Sequence, residues 1–390
     1  MGLRITMLLR NPFTRDARVL REARSLARAG HEVTVIAMRA PTLPAIEQRD
    51  GFTVRRAVAG GRMAGPTIAG AAGGRARSLP RPAIAVWLRD AILARAFYRA
   101  AIEQPADVYH AHDLNTLEPA ARAARARGSR LVYDAHELYP DLTGFGPGER
   151  ARWSKQETKL IGRADAVIVP SEGRASEIGR RYGVSPVVVM NCPDVSRSIT
   201  ADTRLDVFRS DSEPLIVYAG GYTPNRGLEN LIDAASKIAR GRLVMIGWGP
   251  LEATLRARAA GIDRVAFVDP VDPDDLVSVV AGADIGVAPY IPVGLNNQLA
   301  APNKLFEYLH AGLAVAASDL PDIRRVVMED DVGMLFDAAD AASIASAIDA
   351  LTQSPDRLEQ LKTNARAAAP KYTWDAQARR LLEIYEGLTR

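Results

Sequence analysis

Cysteine, lysine and long apolar runs are the scarce features of this 390-residue chain. The single cysteine, Cys192, excludes an internal disulfide and agrees with a reducing compartment. No apolar stretch reaches the roughly 18 residues that a spanning helix needs. The apolar core of residues 1–10 is too short for a signal peptide, so a cytoplasmic protein is expected. The 50 basic residues include only six lysines, and the arginines are scattered through Ala-rich segments, which reads as solvated helix faces. Aromatic residues make up 6% and do not gather with the basic ones, so a nucleic-acid partner is not expected. The opening Met1-Gly2-Leu-Arg-Ile-Thr6 matches a myristoylation pattern, but the same residues read better as a first strand.

What is present is average globular material, 47% hydrophobic and 25% charged, in enough chain for two domains with separate cores. Short apolar runs alternate with helical periodicity. Strands are predicted at Leu3–Leu9, Val33–Ala37, Val108–His110, Leu131–Tyr133, Ala166–Val169 and Val187–Met190, with a helix from Asp16 to Ala29. The pattern lapses over residues 193–213 and restarts with strands at Leu215–Ala219, Leu243–Ile246, Val265–Val268, Ile285–Ala288 and Ala314–Ala316. The expected class is α/β, with two Rossmann-like, doubly wound parallel sheets facing across a cleft and ligands at the strands' carboxyl ends. The expected domains are residues 1–192, a linker at 193–213, a second domain at 214–371, and a final helix at 372–390 crossing back to the first domain. Gly60–Arg81, rich in Gly, Arg and Pro, reads as a loop or a mobile lid, and the Arg-studded apolar stretch Ile84–Tyr98 as a helix or a surface that meets a membrane-held acceptor.

The densest chemistry lies in Pro302-Asn-Lys-Leu-Phe-Glu-Tyr-Leu-His-Ala-Gly312. Lys304 and Glu307 share a helix face at i and i+3, Pro302 suits the first turn, Asn303 the cap and Gly312 the stop. Free amides of that first turn would join Lys304 in holding a diphosphate, and the acceptor-only Glu307 carboxylate would suit a ribose diol; an exposed salt bridge is the plain alternative. Gly220-Gly221-Tyr-Thr-Pro-Asn-Arg226-Gly227 and Gly247-Trp-Gly249-Pro250 each close a strand, without the GxGxxG spacing of a nicotinamide site. His110-Ala-His112-Asp113 and Asp134-Ala-His136-Glu137 end strands of the first half, a position that favours substrate contact over the core, for His112 above His110 and His136. The HxH spacing is a weak metal signal, and Asp272-Pro273-Asp274-Asp275 reads as a helix cap rather than a metal-binding pair.

Together these motifs resemble glycosyltransferase family 4, the retaining GT-B transferases, over nearly the whole chain. Asp16-Ala-Arg-Val-Leu-Arg-Glu-Ala and Gly30-His-Glu-Val-Thr-Val resemble the family's first helix and second strand, and the residues around Trp374 its crossing helix. The resemblance implies transfer of a sugar from a nucleotide-diphosphate donor, expected to be UDP-linked, to an acceptor hydroxyl on a glycan, a lipid-linked molecule or a small molecule. It assigns catalysis to His112, Arg226 and Lys304. Donor contacts are implied for Gly220, Gly221, Gly247, Gly249, Val268, Asn303, Leu305 and Glu307, and acceptor-side contacts for Asn11, Asp16, His136 and Glu137. No cofactor and no metal are expected, since Arg226 and Lys304 supply the neutralising charge, and peripheral membrane contact is part of the same expectation.

Two departures stand out: the family's first motif glutamate, eight residues before Glu307, is Leu299, and an arginine often found five residues before Arg226 is Gly221. They keep open a non-catalytic nucleotide-sugar-binding subunit; the nearest rival to a transferase is a GT-B nucleotide-sugar epimerase or hydrolase.

Overall fold

The computed structural model describes residues 2–14, 16–58, 83–194, 199, 201–210 and 213–389. The lid reading of Gly60–Arg81 therefore lies outside the described residues. The chain forms two compact units: one holds the chain up to Met190 and Gln377–Arg390, the other Asn191–Ala376.

In the first unit the strands are β1 (Arg4–Leu8), β2 (Glu32–Met38), β3 (Ile46–Arg49), β4 (Phe52–Val58), β5 (Val108–His112), β6 (Arg130–Asp134), β7 (Ala166–Val169) and β8 (Val187–Val188). They make one sheet in the order β3-β4-β2-β1-β5-β6-β7-β8. Every neighbour pair is parallel except β3 with β4. That edge hairpin departs from the expected all-parallel sheet. It turns at Asp50-Gly51, both at positive φ (50° and 88°), the pairing that two-residue hairpins favour. Along β4, Phe52, Val54 and Val58 are buried between more exposed neighbours, so the strand never presents the continuous apolar run of a two-sided parallel strand. The helix Ala17–Arg28 starts where expected, with Asp16 as N-cap accepting from the Val19 amide.

The second unit holds β9 (Leu215–Ala219), β10 (Arg242–Ile246), β11 (Val265–Val268), β12 (Ile285–Ala288), β13 (Ala314–Ser318) and β14 (Gly333–Phe336), all parallel, in the order β11-β10-β9-β12-β13-β14. The short β14 escapes a search for apolar runs because Gly333 must sit within the sheet: a Cβ there would lie 1.8 Å from the Val315 carbonyl oxygen. Within the stretch expected to be linker, Thr203–Phe208 forms a 3₁₀ turn with Leu205 buried, and the Asp202 amide donates to the Ser278 carbonyl. It packs onto the second unit rather than running free.

Both sheets reverse strand order beside their first strand, between β1 and β5 and between β9 and β12. Ligands of open α/β sheets enter at the carboxyl ends flanking such a reversal. His112 ends β5, Gly220 follows β9, and Tyr290 stands two residues beyond β12.

Candidate active site

In the second unit, the helix Asn303–His310 begins without a side-chain cap; Pro302, extended at ψ 139°, takes the N-cap position. This corrects the expected arrangement, in which Pro302 lay in the first turn and Asn303 capped. The helix is seated by Tyr308, whose hydroxyl accepts from the Ala219 amide (3.0 Å) and donates to the Val287 carbonyl (3.2 Å). Glycine at 286 makes room, since a Cβ there would sit 2.4 Å from the Tyr308 ring. The helix is thus hung from the ends of β9 and β12.

That placement buries Lys304. Its Nζ lies 3.9 Å from the centroid of the Tyr218 ring and 5.5 Å from that of Tyr290, and the Arg226 guanidinium stacks 4.2 Å from the centroid of the Tyr290 ring. Among the described residues Lys304 makes no ion-pair contact with a carboxylate, and the Glu307 charge, which favours the ammonium, acts on it only from a distance. Burial, and then the Arg226 charge, push its pKa well below the ordinary lysine value. Aromatic faces stabilise a cation without neutralising it, so the pair retains its appetite for an anion. Gly220 (φ 143°) is required here: a Cβ would stand 2.8 Å from Lys304 Nζ. Gly247 (φ 149°) is equally constrained, because a Cβ would meet the Gly220 carbonyl oxygen at 2.0 Å. The two glycine loops therefore lie against one another, locked by the Tyr222 amide donating to the Trp248 carbonyl at 2.8 Å.

The remaining donor-side residues fall around this point. Gly221 follows Gly220 and its carbonyl accepts from the Tyr218 hydroxyl at 3.0 Å. Gly249 closes the second loop, and the Val268 carbonyl is taken by the Gly247 amide at 3.4 Å. Asn303 and Glu307 are half-buried on the helix, whereas the Leu305 side chain is fully buried. Asp272 accepts from the Asp274 amide at 3.0 Å, closing a turn, while Asp275 is the N-cap of the helix Leu276–Val280 and ion-pairs with Arg204. The N-cap position is thus displaced by one turn, to Asp275, and the Asp272 and Asp275 carboxylates have structural partners.

In the first unit, β5 runs on to His112, so His110 is mid-strand and fully buried rather than in a loop. His110 Nδ1 lies 2.8 Å from the Tyr385 hydroxyl and its ring stacks on His112 at 4.3 Å. This corrects the preference for a substrate role over a core role at position 110. His112 is also buried; its Nδ1 faces His136 Nε2 (3.2 Å) and Asp134 Oδ2 (3.4 Å), and its Nε2 has no hydrogen-bond partner. Asp134 receives a bidentate bond from Arg18 (2.9 and 2.8 Å) and a bond from His136 (2.8 Å). Burial raises the Asp134 pKa, but Arg18 and His136 outweigh it and hold the carboxylate ionised. Burial likewise opposes charge on His136, yet Asp134 and Asp113 overcome it and carry that pKa to about 10. His112 goes the other way, lowered mainly by burial, and is a neutral ring.

The acceptor-side residues are less free than expected. Asn11 bonds to Asp16 (3.0 Å) and to the Phe13 amide (2.7 Å), Asp16 caps its helix, and Glu137 pairs with Arg174 at 2.7 Å. Glu22 joins His110, His112 and Asp134 in a buried group whose possible metal-binding atoms lie within 4.8 Å of one another. Arg18 stands among them, 3.0 Å from Glu22 and 2.8 Å from Asp134, so the carboxylates already share a cation.

Sequence reading missed Tyr218, Tyr290, Arg18 and Glu22. Arg18 and Glu22 left one trace: they lie at i and i+4 on the same buried stripe as Val19, Ala23 and Leu26, where an opposite-charge pair is out of place. The tyrosines left none, as each reads as ordinary strand-end material.

The family model described as Glycosyltransferase Family 4 matches residues 17–197, and the one described as Glycosyl transferases group 1 matches residues 213–354. A phosphatidyl-myo-inositol mannosyltransferase of Mycolicibacterium smegmatis is 25% identical over 383 residues, covering 95% of this chain and 89% of that protein. A D-inositol 3-phosphate glycosyltransferase of Xylanimonas cellulosilytica is 26% identical over 313 residues, covering 73% of this chain and 72% of its own length. Among solved structures, sucrose-phosphate synthase from Thermosynechococcus elongatus superposes with a TM-score of 0.78 at 19% identity, over 99% of both chains. Anabaena HepE in complex with UDP-glucose gives 0.73 at 17% identity, over 99% of this chain and all of that one.

Proposed function

We propose, from the premise that this chain belongs to glycosyltransferase family 4 and is a nucleotide-sugar glycosyltransferase, that it uses a UDP-linked donor, retains configuration at the anomeric carbon and binds the diphosphate at Lys304 and Arg226. The observation that carries this reading is a buried ammonium, held on tyrosine faces with no carboxylate partner, at the start of an uncapped helix. Support for the donor comes from the likeness to the UDP-glucose complex of HepE, and for a polyol or lipid-held acceptor from the inositol-directed names of the relatives.

In the proposed reaction the bond between the anomeric carbon and the diphosphate oxygen breaks as the acceptor oxygen bonds to that carbon on the same face. The acceptor proton passes to the departing phosphate oxygen. Lys304, Arg226 and the first amides of the helix Asn303–His310 stabilise the charge that grows on the diphosphate. His112, neutral and with its Nδ1 turned to Asp134, offers the Nε2 lone pair to a hydroxyl of the donor sugar. Glu307 takes the ribose hydroxyls. Glu307→Ala is accordingly expected to weaken UDP binding by roughly 1.5–3 kcal/mol, the range for a hydrogen bond to a charged group, with the fold intact. Calorimetry giving unchanged affinity would remove the ribose role.

Because these cations do the neutralising, no metal is required, and turnover is expected to persist in excess EDTA. Complete loss, restored by a divalent ion, would instead make a metal site of the Glu22, His110, His112 and Asp134 group. Cytoplasmic placement and peripheral contact with a membrane-held acceptor belong to the same proposal; no helix among the described residues is long and apolar enough to cross a membrane.

A further inference from the structure

The helix Ala83–Ile102 packs on the helix Leu114–Arg127 and on β4 with one face and leaves the other to solvent. Three large apolar side chains stand out on that free face: Trp87 is 55% exposed, Leu88 53% and Ile92 59%. They are spaced as neighbours on one helical stripe, which continues through Arg95 to Arg99. The face is therefore divided along its length, with an apolar half first and a basic half after it. Arg95, Tyr98 and Arg99, with Ala91 and with Arg122 from the adjacent helix, line a shallow depression of about 400 Å³. Arg122 stacks 4.2 Å over the Tyr98 ring and pairs loosely with Glu118. Arg95 and Arg99 have no acidic partner among the described residues. The helix's only acidic residue, Asp90, is buried and is consumed by Arg10 (2.5 Å) and Arg152 (2.7 Å), so no acid of this helix offsets Arg95 and Arg99.

We propose that this face is the enzyme's docking surface for an anionic phospholipid bilayer, with Trp87, Leu88 and Ile92 entering the headgroup boundary and Arg95, Arg99 and Arg122 meeting lipid phosphates. The proposal rests on the peripheral placement given above and names the surface that achieves it. Large apolar side chains gain by leaving water, Trp is suited to the headgroup level, and unpaired arginines are drawn to the negative surface of the leaflet. A soluble protein partner would cover the apolar half equally well, but Arg95 and Arg99 without acids, beside Arg122, match a phosphate-rich surface better than a mixed-charge protein rim. The orientation also follows from the division of the face: the apolar half inserts while the basic half lies along the phosphates.

The test is flotation of the full chain with vesicles of phosphatidylcholine alone and with vesicles containing phosphatidylglycerol. Binding is expected to the anionic vesicles, to weaken with salt, and to fall ~30-fold in the double variant Arg95→Ser/Arg99→Ser, since each arginine near the surface contributes about a fivefold factor. The double variant Trp87→Ser/Ile92→Ser is expected to lose at least about tenfold on the same vesicles. Millimolar inorganic phosphate should not displace the protein; displacement would make the depression a site for soluble phosphate and overturn the bilayer reading. Quenching by brominated lipid should occur in the wild type and vanish in Trp87→Phe, which keeps the bulk of the side chain and guards against a folding artefact. Equal binding to both vesicle types, or variants that float like the wild type, would overturn the proposal. UDP affinity, measured by calorimetry on the same variants, should not change. Lost vesicle binding with intact UDP binding would leave the transferase reading standing, and intact vesicle binding without UDP binding would do the reverse.

Discussion

Lys304→Met should cost the enzyme its donor and gain it stability. Removing the ammonium takes away the charged contact proposed for the diphosphate, worth ~3 kcal/mol where charge develops in the transition state, or about a hundredfold in rate. Binding of UDP should fall as well, because the diphosphate carries charge in the ground state. The stability gain has a separate cause. In the ligand-free protein the ammonium is desolvated, lies on the Tyr218 ring beside Arg226 and has no carboxylate partner, a state that burial penalises. Methionine fills nearly the same space without the charge, so the free variant should melt higher than the wild type.

The pH dependence gives the same result a second reading. A lysine whose folded pKa lies below its unfolded value binds fewer protons when folded than when unfolded, so wild-type stability rises as pH climbs from that lowered value toward the ordinary lysine range near ~10.4. The difference in melting temperature between Lys304→Met and the wild type should therefore shrink with rising pH. A variant that melts lower at every pH would show that Lys304 has a native partner, and unchanged UDP binding would move the diphosphate elsewhere.

His112→Ala should divide differently, lowering turnover about a hundredfold while changing the UDP dissociation constant by less than about threefold. The ring is neutral, and its unpaired Nε2 is proposed to act on the sugar, which UDP lacks, so UDP cannot report its loss. Steady-state turnover with the nucleotide sugar, set beside calorimetry with UDP, measures both quantities. Near-normal turnover would withdraw the role from His112. His136 would not inherit it readily, since Asp134 holds that ring as a cation.

The expectations that survive into the structure are those carried by periodicity and by punctuation. Continuous apolar runs located β1, β2 and β5 through β13, and Gly312, at φ 71°, follows the end of its helix as expected. The edge hairpin β3–β4 leaves no continuous apolar run, because an antiparallel edge strand alternates on either side of Asp50-Gly51. At the site, Lys304, Arg226 and the glycine loops were legible because their chemistry is local: a cation beside a helix start, a backbone that must approach closely. Tyr218 and Tyr290 were not, since a ring under an ammonium is a contact between β9, the segment after β12 and the helix Asn303–His310, elements distant in sequence. The same holds for Arg18 and Asp134, 116 residues apart, whose pairing governs the charge around His112. Histidines at strand ends suggested exposure, whereas a parallel strand covered on both faces buries its last residue with the rest.

Proton and phosphorus NMR of one reaction, with an α-linked UDP-sugar and a panel of polyol and lipid-linked acceptors, bears most directly on retaining transfer at Lys304 and Arg226. The expected outcome is stoichiometric release of UDP together with an α-linked glycoside, both abolished in Lys304→Met and both undiminished by EDTA. A β-linked product, free sugar in place of glycoside, an epimerised nucleotide sugar, or tight UDP binding with no turnover on any donor would contradict it.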